Sequence, residues 1–168
     1  RGMNSQIIVV DDFYDIPFDY HKSFDDGECR ITDETAGKIS QILGQSINIT
    51  HAANESGDTP GVMAHLECDW IGIIYLTLPL QAFGELGIKF YSHIATGLET
   101  FPTTEEIIKY QIQEKDFERT FSSNHELWKE YSCIPARYNR MILFKGNRWH
   151  SYTLNNNIRY QKVIIKHG

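Results

Sequence analysis

Cysteine is scarce in this chain: Cys29, Cys68 and Cys133 are the only three among 168 residues, and no CxxC pair occurs. An odd, scattered set excludes a disulfide framework and points to free thiols in a reducing compartment. Long apolar runs are absent too. The longest fall far short of the roughly 20 residues a membrane helix needs, and no secretory apolar segment opens the chain. Arg1-Gly2 ahead of Met3 reads as a tag remnant, with Met3 as the natural start. The expectation is a soluble, cytoplasmic protein with no membrane role. Positive charge is in deficit: 16 Lys and Arg against 22 Asp and Glu give a net charge of −6. Nucleic-acid binding as the main task is thereby disfavoured, since it leans on a basic surface to displace counterions. Arg137, Lys145 and Arg148 could form only a small basic groove. Also missing are GxSxG, a P-loop and a GxGxxG following a strand, which removes the common signatures of serine hydrolases, NTPases and dinucleotide enzymes.

What is present fits one globular domain over residues 1–168, with 41% hydrophobic and 23% charged residues. QIIVVDDFY begins with a β-branched run and predicts a first strand. Pro17 permits a short helix over about 17–24. In ITDETAGKISQILGQ, Thr32 and Asp33 are cap candidates, and Ala36, Ile39, Ile42 and Leu43 follow at helical spacing. Strand patterns come next: SINIT, GVMAHLE, CDWIGIIYLTL and GIKFYSH. Asn54, Gly57, Asp58, Pro60 and Gly61 are read as breakers before them, and Pro79, Gly84 and Gly87 as breakers between. Residues 98–135 read as a helical insert, with a surface helix over 103–121 and another turn or two at HELWKEY. The chain returns to strands at RMILFKG and IRYQKVIIK. Strands and helices do not alternate regularly, so an antiparallel sandwich or barrel with flanking helices is expected, not a doubly wound parallel sheet.

The chemistry-bearing pattern begins at His65-Leu66-Glu67. On a strand, residues i and i+2 share a face, so imidazole and carboxylate point the same way. With one distant histidine, His150, they make a two-histidine, one-carboxylate set that suits one face of a non-haem iron. Asp69 is the alternative carboxylate, since i+4 returns to the same face. Activating dioxygen at such an iron needs extra electrons, which 2-oxoglutarate can supply. Its far carboxylate needs a fixed cation, and Arg159, nine residues after His150, offers a planar fork for it.

In these pieces the sequence resembles the 2-oxoglutarate- and Fe(II)-dependent dioxygenases, most of all the prolyl-hydroxylase-like branch and its short phage and bacterial members. VVDDFY with a following proline is similar to the opening strand of that branch. His65-x-Glu67 stands at its HxD motif, with glutamate in place of the usual aspartate. IIYLT places Tyr75 where those enzymes use a tyrosine hydroxyl on the 2-oxoglutarate carboxylate. GELGIKFY resembles the glycine-rich strand between them. NRMILFKGNRWHS, followed by Arg159, matches the distal histidine and the arginine. The resemblance implies a mainly β fold with flanking helices, a double-stranded β-helix (jelly roll) of about eight main strands. It implies Fe(II) on His65, Glu67 and His150, and 2-oxoglutarate held by Arg159 and Tyr75. The activity implied is hydroxylation of an unreactive C–H bond by O2, with succinate and CO2 as co-products and a substrate, peptide or small molecule, that the sequence does not name.

Plainer readings stand beside these. Tyr75 suits a core strand, and Arg159 suits a surface ion pair. Cys68, at i+3 from His65, is expected to face away as a small core residue. Adjacent Asp11 and Asp12 face opposite sides and mark a strand end. Trp70 and Trp149 suit a core. Two other functions stay open on the same residues. One is a jelly-roll binding protein that has lost oxygenase activity. The other is a cupin-like metalloenzyme that uses no 2-oxoglutarate.

Overall fold

WIGIIY, residues 70–75, is buried at every position, and the rest of the architecture is arranged around that strand. The computed structural model describes residues 6–57, 59–77, 86–113, 126–153 and 158–168. Its order is β1 (Ile8–Val10), α1 (Pro17–His21), α2 (Ser23–Asp26), α3 (Asp33–Leu43), β2 (Ile47–Ser56), β3 (Thr59–Met63), β4 (Trp70–Tyr75), β5 (Gly87–His93), α4 (Thr104–Tyr110), β6 (Trp128–Pro135), β7 (Met141–Lys145), β8 (His150–Thr153) and β9 (Arg159–His167).

Two sheets form, one ordered β1-β7-β4-β9-β2 and the other β3-β8-β5-β6. Every pairing is antiparallel. From β2 onward the chain crosses from sheet to sheet at each step, except at the β5–β6 pair. This is the wrapping of a jelly roll, a double-stranded β-helix. β4 pairs at both edges, with β7 and β9, and packs on both faces, against the other sheet and the helical layer, which a continuous apolar run suits. Ile71, Ile73 and Tyr75 face the other sheet, within a cluster that includes Phe90, Phe144, Tyr152 and Tyr160. Trp70 and Ile74 face outward against Phe13, Tyr14, Tyr20, Ile39 and Leu43 of the N-terminal helical layer.

α3 forms where the pattern predicts. Thr32 and Thr35 close a reciprocal capping box, Gly44 ends the helix at φ +67°, and Ile39 and Leu43 bury one face. Burial of each such side chain stabilises by about 1.5–3 kcal/mol. The helical layer is pinned to β9 by polar contacts as well. Tyr14 donates to Gln161 Oε1 at 2.6 Å, and the Gln161 amide donates to the Arg30 carbonyl at 2.9 Å.

Some expectations are corrected. β2 runs ten residues to Ser56 and passes through Asn54, a presumed breaker, because β9 pairs with it along its length. Gly61 lies inside β3. Residues 98–135 are only partly helical. α4 spans Thr104–Tyr110 and stops at Gln111, whose φ is +52°. HELWKEY leads into β6, which pairs with β5 from Trp128 to Pro135. That tertiary pairing overrides the helical propensity of Glu, Leu and Lys. Arg1, Gly2, Met3, Asp58, Pro79, Gly84 and the 114–121 part of the expected helix lie outside the described residues. All three cysteines are free. No helix among the described residues is long and apolar enough to cross a membrane.

Candidate metal and carboxylate site

His65 and His150 are 85 positions apart in sequence, and the turn after β7 brings them together. The His65 amide donates to the Gly146 carbonyl at 2.7 Å, and the Gly146 amide donates to Asp69 O at 3.3 Å. The bend at residues 65–69 and the turn at 146–147 therefore hold each other. Three residues past that turn, His150 opens β8 between Met63 of β3 and Phe90 of β5. The two imidazole centroids lie 5.7 Å apart. His65 and Glu67 are not on a strand as predicted: β3 ends at Met63 and they occupy the bend that follows.

Each imidazole is tied at Nδ1. His150 Nδ1 lies 2.7 Å from the Arg148 carbonyl, and His65 Nδ1 lies 3.2 Å from Glu67 Oε1. A carbonyl and an ionised carboxylate only accept, so both Nδ1 atoms carry the proton and both Nε2 atoms carry a lone pair. Both Nε2 atoms are buried without a hydrogen-bond partner. Burial is the main cause that lowers both histidine pKa values, that of His150 to about 3, and the nearby Lys162 charge pushes the same way. Neutral imidazoles with anchored Nδ1 and open Nε2 are the form that binds a transition metal.

The carboxylates stand elsewhere. Glu67 is on the Nδ1 side of His65. Asp69 Oδ2 accepts the His167 amide at 2.9 Å, at the end of β9. Among the described residues no group of three His, Cys, Asp or Glu side chains stands as a metal centre. Two imidazoles therefore fit an iron; the third ligand expected from sequence is not in place beside them.

β9 places Arg159 and Lys162 on different faces of its sheet. Tyr160 belongs to the inner cluster, whereas Gln161 bonds to the helical layer. Alternation puts Lys162 on the inner face with Tyr160 and puts Arg159 on the outer face with Gln161. The Arg159 guanidinium accordingly lies over the Phe24 ring of α2, 5.8 Å from its centroid. Arg159, expected to hold the 2-oxoglutarate carboxylate, thus lies on the helical-layer side of the sheet and not on the side of His65 and His150. Lys162 Nζ lies 5.4 Å from the centroid of the Tyr152 ring, inside. Tyr75 is inside, as its place on β4 requires, and its hydroxyl and that of Tyr152 are buried without a partner. Burial raises the pKa of both phenols, which stay protonated donors. Tyr160 donates to Glu55 Oε2 at 3.2 Å. Cys68 packs against this inner cluster and does not turn away from it, and burial pushes its thiol up to about 11.

A model of a family of unknown function, DUF6445, matches residues 64–164, well over half of the chain. The chain belongs to that family. The matched span of this DUF6445 member begins just before His65 and ends just past Lys162, so it contains both imidazoles, Tyr75, Tyr152 and the lysine; Glu55 lies outside it. No curated protein matches. Among solved structures the chain is similar to HygX from Streptomyces hygroscopicus with iron bound, at 8% identity and TM-score 0.49. It is similar also to HygX with nickel and 2-oxoglutarate bound, at 9% identity and TM-score 0.47. Each comparison covers 96% of this chain and 82% of the other.

Sequence reasoning missed Lys162, Tyr152 and Glu55. The signal for Lys162 was there: Ile158 and Tyr160 alternate with Arg159 and Gln161, and once Tyr160 is taken as inward, strand alternation makes Lys162 inward and Arg159 not.

Proposed function

We propose that this chain is an Fe(II)- and 2-oxoglutarate-dependent dioxygenase that hydroxylates a C–H bond of its substrate. The observation that supports this most is the pair of neighbouring imidazoles, His150 buried and His65 partly so, with anchored Nδ1 atoms and buried, partnerless Nε2 atoms. When bound, the iron supplies the redox chemistry by which O2 and 2-oxoglutarate are consumed together.

The chain's own residues do the rest. His65 and His150 present nitrogen lone pairs to the metal. Lys162, over the buried Tyr152 ring, supplies the positive charge for the far carboxylate of 2-oxoglutarate, and the apolar surroundings strengthen such a pairing. Tyr75 and Tyr152 hold phenolic protons that are ready to donate to that carboxylate or to the keto-acid end. Ile73, Phe90, Phe144 and Ile164 exclude water around them.

The test is anaerobic addition of Fe(II) and then 2-oxoglutarate, recorded as the visible charge-transfer band of the chelate. The band is expected in the wild type and lost in His150→Ala. Iron binding without a band would remove 2-oxoglutarate as cosubstrate and favour a cupin-like metalloenzyme. No iron binding would leave a jelly-roll binding protein.

A further inference from the structure

The bond between Glu67 and His65 bears on how the metal is held, and the inference drawn from it rests on the proposed metal-dependent function. A histidine's two ring nitrogens lie on different sides of the ring, and Glu67 meets Nδ1 at 3.2 Å while Nε2 is the vacant atom. His150 shows the same division: Nδ1 on a carbonyl, Nε2 vacant. Each imidazole is thus fixed from its Nδ1 side by an acceptor, with the two ring planes tilted 42° to one another. The other acidic groups nearby are committed as well. Asp69 holds the His167 amide, and Glu55 holds the Tyr160 hydroxyl.

We propose that Glu67 is a positioning residue and not a metal ligand: it fixes the tautomer and ring orientation of His65 from the Nδ1 side, and the protein ligands are His65 and His150 alone. Two nitrogens then leave the remaining metal positions to water, cosubstrate or an external anion. The role needs an acceptor of the right length at position 67 and does not need a negative charge. An acceptor behind a metal-bound histidine is worth about 10- to 100-fold in metal affinity.

That separates the two roles by experiment. Co(II) alone is titrated into the full chain and followed by its visible absorption, for the wild type, Glu67→Gln, Glu67→Asp, Glu67→Ala and His65→Ala. Glu67 is two-thirds exposed, so these replacements do not threaten the core. Glutamine keeps an acceptor at the same reach. The expected result is that Glu67→Gln stays within about threefold of the wild type with an unchanged spectrum. Glu67→Ala and Glu67→Asp weaken binding about 10- to 100-fold, again with an unchanged spectrum. The proposal is overturned if Glu67→Gln loses Co(II) as fully as His65→Ala. It is overturned equally if Glu67→Asp binds as tightly as the wild type with a shifted spectrum, since an inner carboxylate ligand behaves that way. A wild type that binds no Co(II) overturns the proposed function, and this inference falls with it.

Discussion

Arg159 and Lys162 stand three residues apart on β9 and face opposite sides of the five-stranded sheet. Arg159 lies over Phe24 in the helical layer, and Lys162 lies over Tyr152 inside the jelly roll. Three residues is an odd number of steps, so a regular strand separates them without any distortion. Under the proposed function, Lys162 is the cation that meets the 2-oxoglutarate carboxylate. A charge-assisted hydrogen bond of about 1.5–3 kcal/mol corresponds to about 10- to 100-fold in affinity. Lys162→Met is therefore expected to weaken 2-oxoglutarate binding by that factor, with Co(II) affinity retained. Arg159→Gln is expected to change 2-oxoglutarate affinity less than twofold. Anaerobic calorimetric titration of the Co(II)-loaded variants checks both, and the opposite ranking would return the role to Arg159.

The partnerless hydroxyls of Tyr75 and Tyr152 make a stability prediction that does not depend on any ligand. A buried hydroxyl without a partner costs about 1–3 kcal/mol of desolvation. Removing the oxygen relieves that cost and leaves the ring in place. Tyr152→Phe is expected to be as stable as the ligand-free wild type or about 1 kcal/mol more stable in urea unfolding. A clear loss of stability would show that the hydroxyl is satisfied within the ligand-free protein. Under the proposed function, the same variant binds 2-oxoglutarate more weakly.

Asp11 gives the chain an acid-sensitive tie. Arg140 grips both its carboxylate oxygens, at 2.7 and 3.2 Å, and joins the end of β1 to the turn before β7. The Arg140 hydrogen bond, outweighing burial and reinforced by the charges of Arg140 and Arg137, holds the Asp11 pKa below its ordinary 3.8. A carboxyl with a folded pKa below its unfolded one contributes stability that is complete above the unfolded value and is lost as pH falls through the folded one. Asp11→Asn is thus expected to melt at a lower temperature than the wild type above about pH 4. The gap should close as the pH is lowered further. A gap that persists unchanged into strong acid would assign the difference to lost geometry and not to charge.

The class of fold was readable because it depends on patterns with short range. Apolar runs, a capped helix at Asp33–Leu43 and the strands around Trp70, Met141 and Arg159 follow from local sequence. The edge strand β6 was not readable, since HELWKEYSCIP has helix-forming residues and becomes a strand only by pairing with β5. The histidine pair was visible as spacing, and the turn at Gly146 that joins the two residues was not. Which of Arg159 and Lys162 faces the inner cluster depends on the facing of β9, which one inward aromatic, Tyr160, fixes and which spacing from His150 does not. The contact of Glu67 with His65 Nδ1 was beyond sequence altogether, because residue type and i+2 position are the same whether a carboxylate meets a metal or the ring beside it.

Gly146 is the residue on which the meeting of the two histidines turns. A Cβ there would lie 2.5 Å from Cys68 Sγ, 2.7 Å from the His65 carbonyl oxygen and 3.1 Å from the Cys68 carbonyl oxygen. Two of those atoms are backbone and cannot rotate away, so an added methyl must push the 65–69 bend off the 146–147 turn. The 2.7 Å bond from the His65 amide to the Gly146 carbonyl is strained or lost with it. Gly146→Ala is expected to cost about 1–3 kcal/mol of unfolding free energy, the range for overpacking. Co(II) affinity should fall out of proportion, by more than about tenfold, because an ångström of displacement between two ligands matters more to a metal than to a core. Gly37→Ala is the control. Gly37 is exposed on α3 with nothing within 4 Å of an added Cβ, so alanine there should stabilise the helix by about 0.5–1 kcal/mol and leave Co(II) binding unchanged. Equal effects of the two substitutions on Co(II) affinity would mean that the turn does not govern the histidine pair.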